Sequence, residues 1–275
     1  MIRPASFCGI YGYKPTSVIT LRQKDHADLC RFGTICRDGS KICAISLDTI
    51  GFFARSISDI QLISRVFNII DPAPSSSLSP KSISECSFGF VKTDQWESLA
   101  SEDLKNIWTQ AQDLLTKAGA KVEEVDLGPQ FENLAGPNGR IAELTEAEAQ
   151  TNILREYRIG KDKLDSQVIS WAENGRGTTR QRLMQVQDEI ATLRPKMDEI
   201  AGKYSVLITP SVPGEAPEGL EWTGSPHFCS LWTALHTPSI NVPGFAGSKG
   251  LPIGLTLVAS RYVLCTSCAD DKVPR

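Results

Sequence analysis

A few places in this 275-residue chain put side chains capable of chemistry close together in sequence. Ser6 and Lys14 lie in the opening run IRPASFCGIYGYKPT. A hydroxyl and an amine can serve as nucleophile and base, because serine attacks well only once a positioned base takes its proton. His227 and Cys229 stand two apart in GSPHFCSLWTALH, the residue types of a Cys–His nucleophile. At that spacing on a helix the side chains point apart and nothing orients the imidazole, so packing or pocket lining is expected. Trp222, Phe228 and Trp232 are candidates for an apolar cleft wall. Cys265 and Cys268 form a C-x-x-C, which supplies two of the four ligands that a structural zinc needs. Cys36 and Cys43 have six residues between them and the three histidines are scattered, so free thiols in a frayed tail are expected and no metal site is assigned.

The elements that must position these residues follow from periodicity. SISDIQLISRVFNII sets Ile60, Ile63, Val66 and Phe67 on one helical stripe, stopped by Asp71-Pro72. The Ser- and Pro-rich stretch at 72–80 reads as a surface loop. FGFVK (88–92) is strand-like. Ser101 then caps a helix that has Glu102 and Asp103 in its positive first turn. Leu104, Ile107, Trp108, Ala111, Leu114, Leu115 and Ala118 repeat at helical spacing before Gly119 ends that helix. KVEEVDL follows as a strand, and this strand–helix–strand order predicts a right-handed crossover in a largely parallel sheet.

Residues 139–203 read as helical and polar, with Leu183, Val186, Ile190, Leu193, Met197 and Ile200 as an apolar seam. The seam is short and contains Pro195, so a helix docked on its own domain is expected rather than a coiled coil. SVLITPS (205–211), PSINVPG (238–244) and LPIGLTLVA (251–259) are short, β-branched and bounded by Pro or Gly, which marks buried strands. By composition the opening run, with Gly9, Gly12, Pro4 and Pro15, reads as a structured loop.

Composition removes whole classes of function. Hydrophobic residues make up 41% and charged residues 22%, with a formal charge of −3, which is ordinary for a globular domain and argues against disorder. No basic run marks a nucleic-acid or anionic-membrane partner. No apolar stretch reaches the roughly 18 residues of a membrane span, and the start lacks a secretion signal. Eight cysteines in 275 residues are too few for a disulfide scaffold, so a reducing cytoplasm is expected.

Four ordered blocks carry a resemblance. IRPASFCGIYGYKPT, LDTIGFFARSISDI (47–60), VLITPSVPGEAP (206–217) and TPSINVPG with GLPIGLTLVA occur in the order found in the amidase signature family. The middle blocks look similar to fungal-type amidases. The resemblance implies an α/β fold, a mixed β-sheet sandwiched between α-helices, over residues 1–275 as one domain. It also implies a small amide substrate, cleavage of a carbon–nitrogen bond through a serine acyl-enzyme, and no cofactor. In the family a lysine acts through a bridging cis-serine on the nucleophilic serine, and backbone N–H groups of a glycine-rich turn hold the oxyanion.

The departure from the family pattern lies at the start. The family nucleophile closes a Gly-Gly-Ser turn just before the Ile-Arg-x-Pro run, and Met1 stands there in this chain. The bridging serine and the lysine lie further upstream in the family. No catalytic residue is therefore assigned, and Ser6 and Lys14 are not promoted in their place. The expectation is an N-terminally truncated, incomplete amidase domain that is inactive alone and prone to aggregate. The alternative is a non-catalytic amidase-like binding or remnant protein. Residues 17–31 read as an insertion, with terminal codons compatible with a retained intron, and 260–275 as a divergent tail. The sequence does not specify the oligomeric state. Sequencing the transcript is expected to show 17–31 spliced out, and an mRNA that retains these codons excludes the intron.

Overall fold

The structure, a computed structural model, describes residues 1–16, 35, 37–67, 69 and 82–261. The expectations for the insertion at 17–31, the loop at 72–80, Cys36, and the tail cysteines Cys265 and Cys268 fall outside these residues. Among those described, β1 (Tyr11–Lys14), β2 (Phe52–Ala54), β3 (Ser87–Val91), β4 (Lys121–Val125), β5 (Val206–Pro210), β6 (Ser239–Ala246) and β7 (Pro252–Val258) form one mixed sheet. Its order is β2-β1-β6-β7-β5-β3-β4.

β3 runs parallel to both β4 and β5, whereas the β5–β7, β7–β6, β6–β1 and β1–β2 pairings are antiparallel. The mixed α/β sheet expected from the resemblance is present. The largely parallel sheet expected from the strand–helix–strand order is not. Parallel pairing is confined to β3 with its two neighbours, β4 and β5. Strands buried on both faces are continuous apolar runs whichever way their neighbours point, so the sequence carries no sign of direction there.

Alternation along the central strands shows how the two faces are filled. Phe88 and Phe90 of β3, Val206 and Ile208 of β5, and Ile253 and Leu255 of β7 pack with α4 (Glu102–Lys117) through Leu104, Ile107, Trp108 and Ala111. From the opposite face Val91, Leu207 and Val258 meet α5 (Arg140–Asn152), α8 (Arg180–Ala201) and α9 (His227–Ala234). Successive strand residues point to opposite faces, so one run of five buried residues serves two cores. Gly89 has no side chain because a Cβ there would lie 2.6 Å from Leu207 Cδ2.

The helices form largely where periodicity puts them, with one short helix, α3 (Trp96–Leu99), ahead of α4. Ser101 accepts the Leu104 N–H at the start of α4, and Gly119 follows its end at φ +86°. Leu114 and Ala118, expected on the apolar stripe, are exposed, whereas Leu115 still packs against the core. The 139–203 region resolves into α5, α6 (Leu154–Gly160), α7 (Ser166–Ala172) and α8. Val186, Ile190, Leu193 and Met197 are buried in the core, so the seam docks within the domain as expected, with Pro195 inside the helix.

The first two helices depart from the expectations. In α2 (Ile57–Val66) the buried residues are Ile57, Ile60 and Ser64, whereas Val66 is 74% exposed. Phe67, just past the helix end, is half-exposed and stacks on Phe52 with ring centroids 5.3 Å apart. The stripe is turned because the helix rests on a narrow sheet margin formed by β1 and β2. The opening run is not merely a loop. Ile2–Phe7 form α1, with Pro4 in the first turn, where a missing N–H leaves no helical bond unmade.

α1 lies against β1, β6 and β7. A Cβ at Gly12 would sit 2.4 Å from the Ala5 Cβ, so the helix can approach the strand only over a glycine. Gly12→Ala is expected to push α1 off β1 and lower stability by about 1–3 kcal/mol, read as a lower urea midpoint at an unchanged m-value.

Candidate functional site

The chemically capable residues converge on two ends of α9. At its N-terminal end, the Arg3 guanidinium of α1 donates to the Gly224 carbonyl and to Thr223 Oγ1. The 211–226 connection is thereby tied to the start of the chain. Phe7 packs beneath Gly224, which takes φ +84°. The Cys229 thiol donates to the Ser211 carbonyl at 3.0 Å, and burial pushes its pKa up to about 11. His227 Nδ1 accepts the Gly136 N–H at 3.2 Å, and burial lowers its pKa. The two side chains have separate partners, so no Cys–His pair forms, as the i, i+2 spacing implied.

The apolar wall is rearranged. Phe228 and Trp232 are fully buried in the two cores, and Trp222 alone of the three candidates is exposed. Both lie on α9, four residues apart, and each is taken up by a different core.

Ser6 is fully buried, and its Oγ accepts the Gly254 N–H at 2.8 Å. Beside it runs a buried polar seam. Asn241 Nδ2 donates to the Ile10 carbonyl at 2.8 Å, while its Oδ1 accepts from Ser211 Oγ at 2.7 Å. Ser211 Oγ and Thr256 Oγ1 are also 2.7 Å apart. Sequence reading passed over Asn241, Ser211 and Thr256. The one available signal was that each is a polar residue within or directly after an otherwise apolar strand.

At the C-terminal end of α9, cations meet carbonyls. The Lys14 ammonium, completely buried, donates to the Thr237 carbonyl at 2.5 Å. Arg194 Nε on α8 donates to the Ala234 carbonyl at 3.2 Å. His236 takes φ +61°, the left-handed conformation common just past a helix end, and its Nε2 lies 2.9 Å from the Ser46 carbonyl. Favourable positions for cations lie at this end of the helix dipole. With carbonyls alone as partners, desolvation lowers Lys14 to about 7 and Arg194 to about 10. Burial, then the charge of Arg194, lowers His236 to about 3. Lys14 and Ser6 thus hold backbone groups, and neither is bonded to the other. Among the described residues no cluster of His, Cys, Asp and Glu could hold a metal ion.

Comparison with known proteins places this architecture. The amidase family model matches residues 2–263. The chain belongs to the amidase family. It is 27% identical to a glutamyl-tRNA(Gln) amidotransferase subunit from Halothermothrix orenii, a match covering 94% of this chain and 59% of that protein. With the corresponding subunit from Thermotoga maritima it shares 25% identity, over 99% of this chain and 60% of the other. The crystal structure of an amidase superposes at TM-score 0.73 with 20% identity, over 95% of this chain and 57% of that one. The crystal structure of the Thermotoga maritima amidotransferase subunit superposes at 0.64 with 22% identity, over 94% and 56%. The chain therefore spans less than two thirds of the length of the relatives it matches, and the likeness to solved structures is one of fold.

The buried cations set a pH dependence. Lys14 holds its proton up to pH 10.5 when unfolded but only to about 7 when folded, so between these values the unfolded state binds more protons and stability rises with pH. His236 acts likewise between its folded value of about 3 and its ordinary 6.5, so stability is lost as pH falls through that window. Lys14→Met is expected to flatten the alkaline limb, removing up to about 1.4 kcal/mol of slope per pH unit, in urea titrations from pH 7 to 10. An unchanged slope refutes the assignment to Lys14.

Proposed function

We propose that this chain belongs to a hydrolase of carbon–nitrogen bonds in small amides, and that the 275 residues do not turn over an amide by themselves. Membership of the amidase family supports the first part. The second rests on one observation: the serine and lysine of the opening run are both committed to backbone groups, Ser6 Oγ to the Gly254 N–H and Lys14 to the Thr237 carbonyl. A nucleophilic serine needs a base that takes its proton, and neither of these bonds joins the two side chains. The reading assigns no cofactor and no metal, since a serine acyl-enzyme needs neither.

Arg3 of α1 anchors the 211–226 connection through the Gly224 carbonyl. We read residues 1–275 as one domain in which 139–203 form a helical layer. The free thiols of Cys8, Cys43, Cys86 and Cys229 support a reducing, cytoplasmic setting. No helix of the described residues is long and apolar enough to cross a membrane. A non-catalytic amidase-like binding protein is the second reading, and the same locked side chains favour it.

The test is an assay of the purified chain with a simple aryl amide, run beside the Thermotoga maritima protein. No turnover above buffer is expected, and Ser6→Ala should change only stability. Turnover by the chain that is lost in Ser6→Ala overturns the proposal.

A further inference from the structure

Asparagine followed by glycine occurs at Asn138–Gly139 and again at Asn174–Gly175, each time with arginine next. Such a pair is prone to cyclise, because glycine offers the asparagine side chain a backbone nitrogen with no Cβ beside it. With the same residues on the reacting side, the two sites should behave alike in an unfolded chain. The fold treats them differently. Asn174 is partly buried and has both ends of its carboxamide engaged: Nδ2 donates to the Thr178 carbonyl at 3.1 Å, and Oδ1 accepts the Thr178 N–H at 3.0 Å. The Gly175 N–H donates to the Ser170 carbonyl at 2.7 Å. Asn138 is exposed in the turn before α5, and its carboxamide makes no hydrogen bond among the described residues. The Gly139 N–H makes one longer bond, 3.1 Å, to the Gly136 carbonyl. Nor can Gly139 be exchanged for a residue that would slow cyclisation, since a Cβ there would lie 2.4 Å from the Leu134 and Ala135 carbonyl oxygens. The close packing that starts α5 therefore keeps the reactive pair in place.

We propose that Asn138 is a site of spontaneous deamidation to aspartate and isoaspartate, and that the fold protects Asn174. The Gly139 nitrogen loses its proton to solvent and bonds to Asn138 Cγ. The Cγ–Nδ2 bond breaks, and ammonia leaves with a proton taken from solvent. Water then opens the cyclic imide. Cleavage of the new N–Cγ bond yields aspartate, whereas cleavage between the Gly139 nitrogen and the Asn138 backbone carbonyl carbon yields isoaspartate. Water is the only co-reactant, and nothing is oxidised or reduced. The product carboxylate stands one residue before the N-cap of α5, where the helix dipole favours an anion. The Arg176 guanidinium lies on the neighbouring Pro137 carbonyl at 2.9 Å. At Asn174 the product would instead turn a carboxylate oxygen toward the Thr178 carbonyl that Nδ2 now meets. Isoaspartate inserts a methylene carbon into the main chain of a turn whose Gly136 N–H is held by His227 Nδ1. The modification thus acts on a contact at the N-terminal end of α9. The inference does not depend on the amide reading.

Peptide mapping of the whole folded chain, after incubation at mildly alkaline pH, tests it. Trypsin releases Asn138 within residues 122–140 and Asn174 within 164–176. Exchange of an amide for a carboxyl group shows as a gain in mass, which fragmentation places at the residue. In the folded chain Asn138 should react at least about tenfold faster than Asn174, equivalent to about 1.4 kcal/mol of barrier, the scale of one or two hydrogen bonds. In concentrated urea the two rates should converge. Asn138→Gln, a change at an exposed position, should abolish the gain in 122–140 and leave Asn174 slow. Circular dichroism confirms that the incubated samples are folded. Equal rates in the folded chain, a faster Asn174, or an Asn138 that reacts in urea and not when folded overturns the proposal. So does a difference that persists undiminished in urea, which would put the selectivity in Pro137 and Glu173 rather than in the fold.

Discussion

The carboxamide of Asn241 is the contact on which this architecture turns. It is completely buried, and a buried amide left without partners costs a few kcal/mol. Its nitrogen reaches the Ile10 carbonyl in the turn after α1, and its oxygen receives the Ser211 hydroxyl, which in turn meets Thr256. One side chain thereby joins the opening segment to β6, to β7 and to the end of β5. Close packing makes the arrangement possible: Gly12 admits Ala5, and a Cβ at Gly254 would strike the Asn241 amide itself. The glycines and the polar seam are two parts of one constraint, since a polar network this deep is stable only if every member is satisfied.

The same logic explains α9. Its Ala234 carbonyl receives the Arg194 Nε–H where the helix dipole favours a cation, and Lys14 donates to the Thr237 carbonyl, three residues past the helix end. Neither has a carboxylate as its hydrogen-bond partner in these contacts, and desolvation accordingly lowers both pKa values. The lysine of the KPT block is thus an anchor between β1 and the start of β6. A residue type able to act as a base is held instead by a carbonyl.

Much of the fold was legible in the sequence. Ser101 as a cap, the seam from Val186 to Met197, and the apolar runs that became β3, β5 and β7 are local signals, and local signals survive folding when burial agrees with them. The phase of α2 was not legible. Val66 and Phe67 share an apolar stripe in sequence, but which side of a helix is buried depends on the width of what it rests on. The helical start was hidden as well, because Pro4 and the glycines of the opening run read as turn formers until the free first turn of α1 accommodates the proline.

The sequence by itself determined the family, through four ordered blocks, and the separation of His227 from Cys229, through their spacing on a helix. Only the tertiary structure decided that Phe228 and Trp232 belong to the cores, that Lys14 and Ser6 are bound to backbone, and that most of the sheet is antiparallel. The physical reason is common to all three. Periodicity records which residues avoid water, but strand direction and the partner of a buried polar group are properties of distant segments brought together, and neither leaves a local trace in the chain.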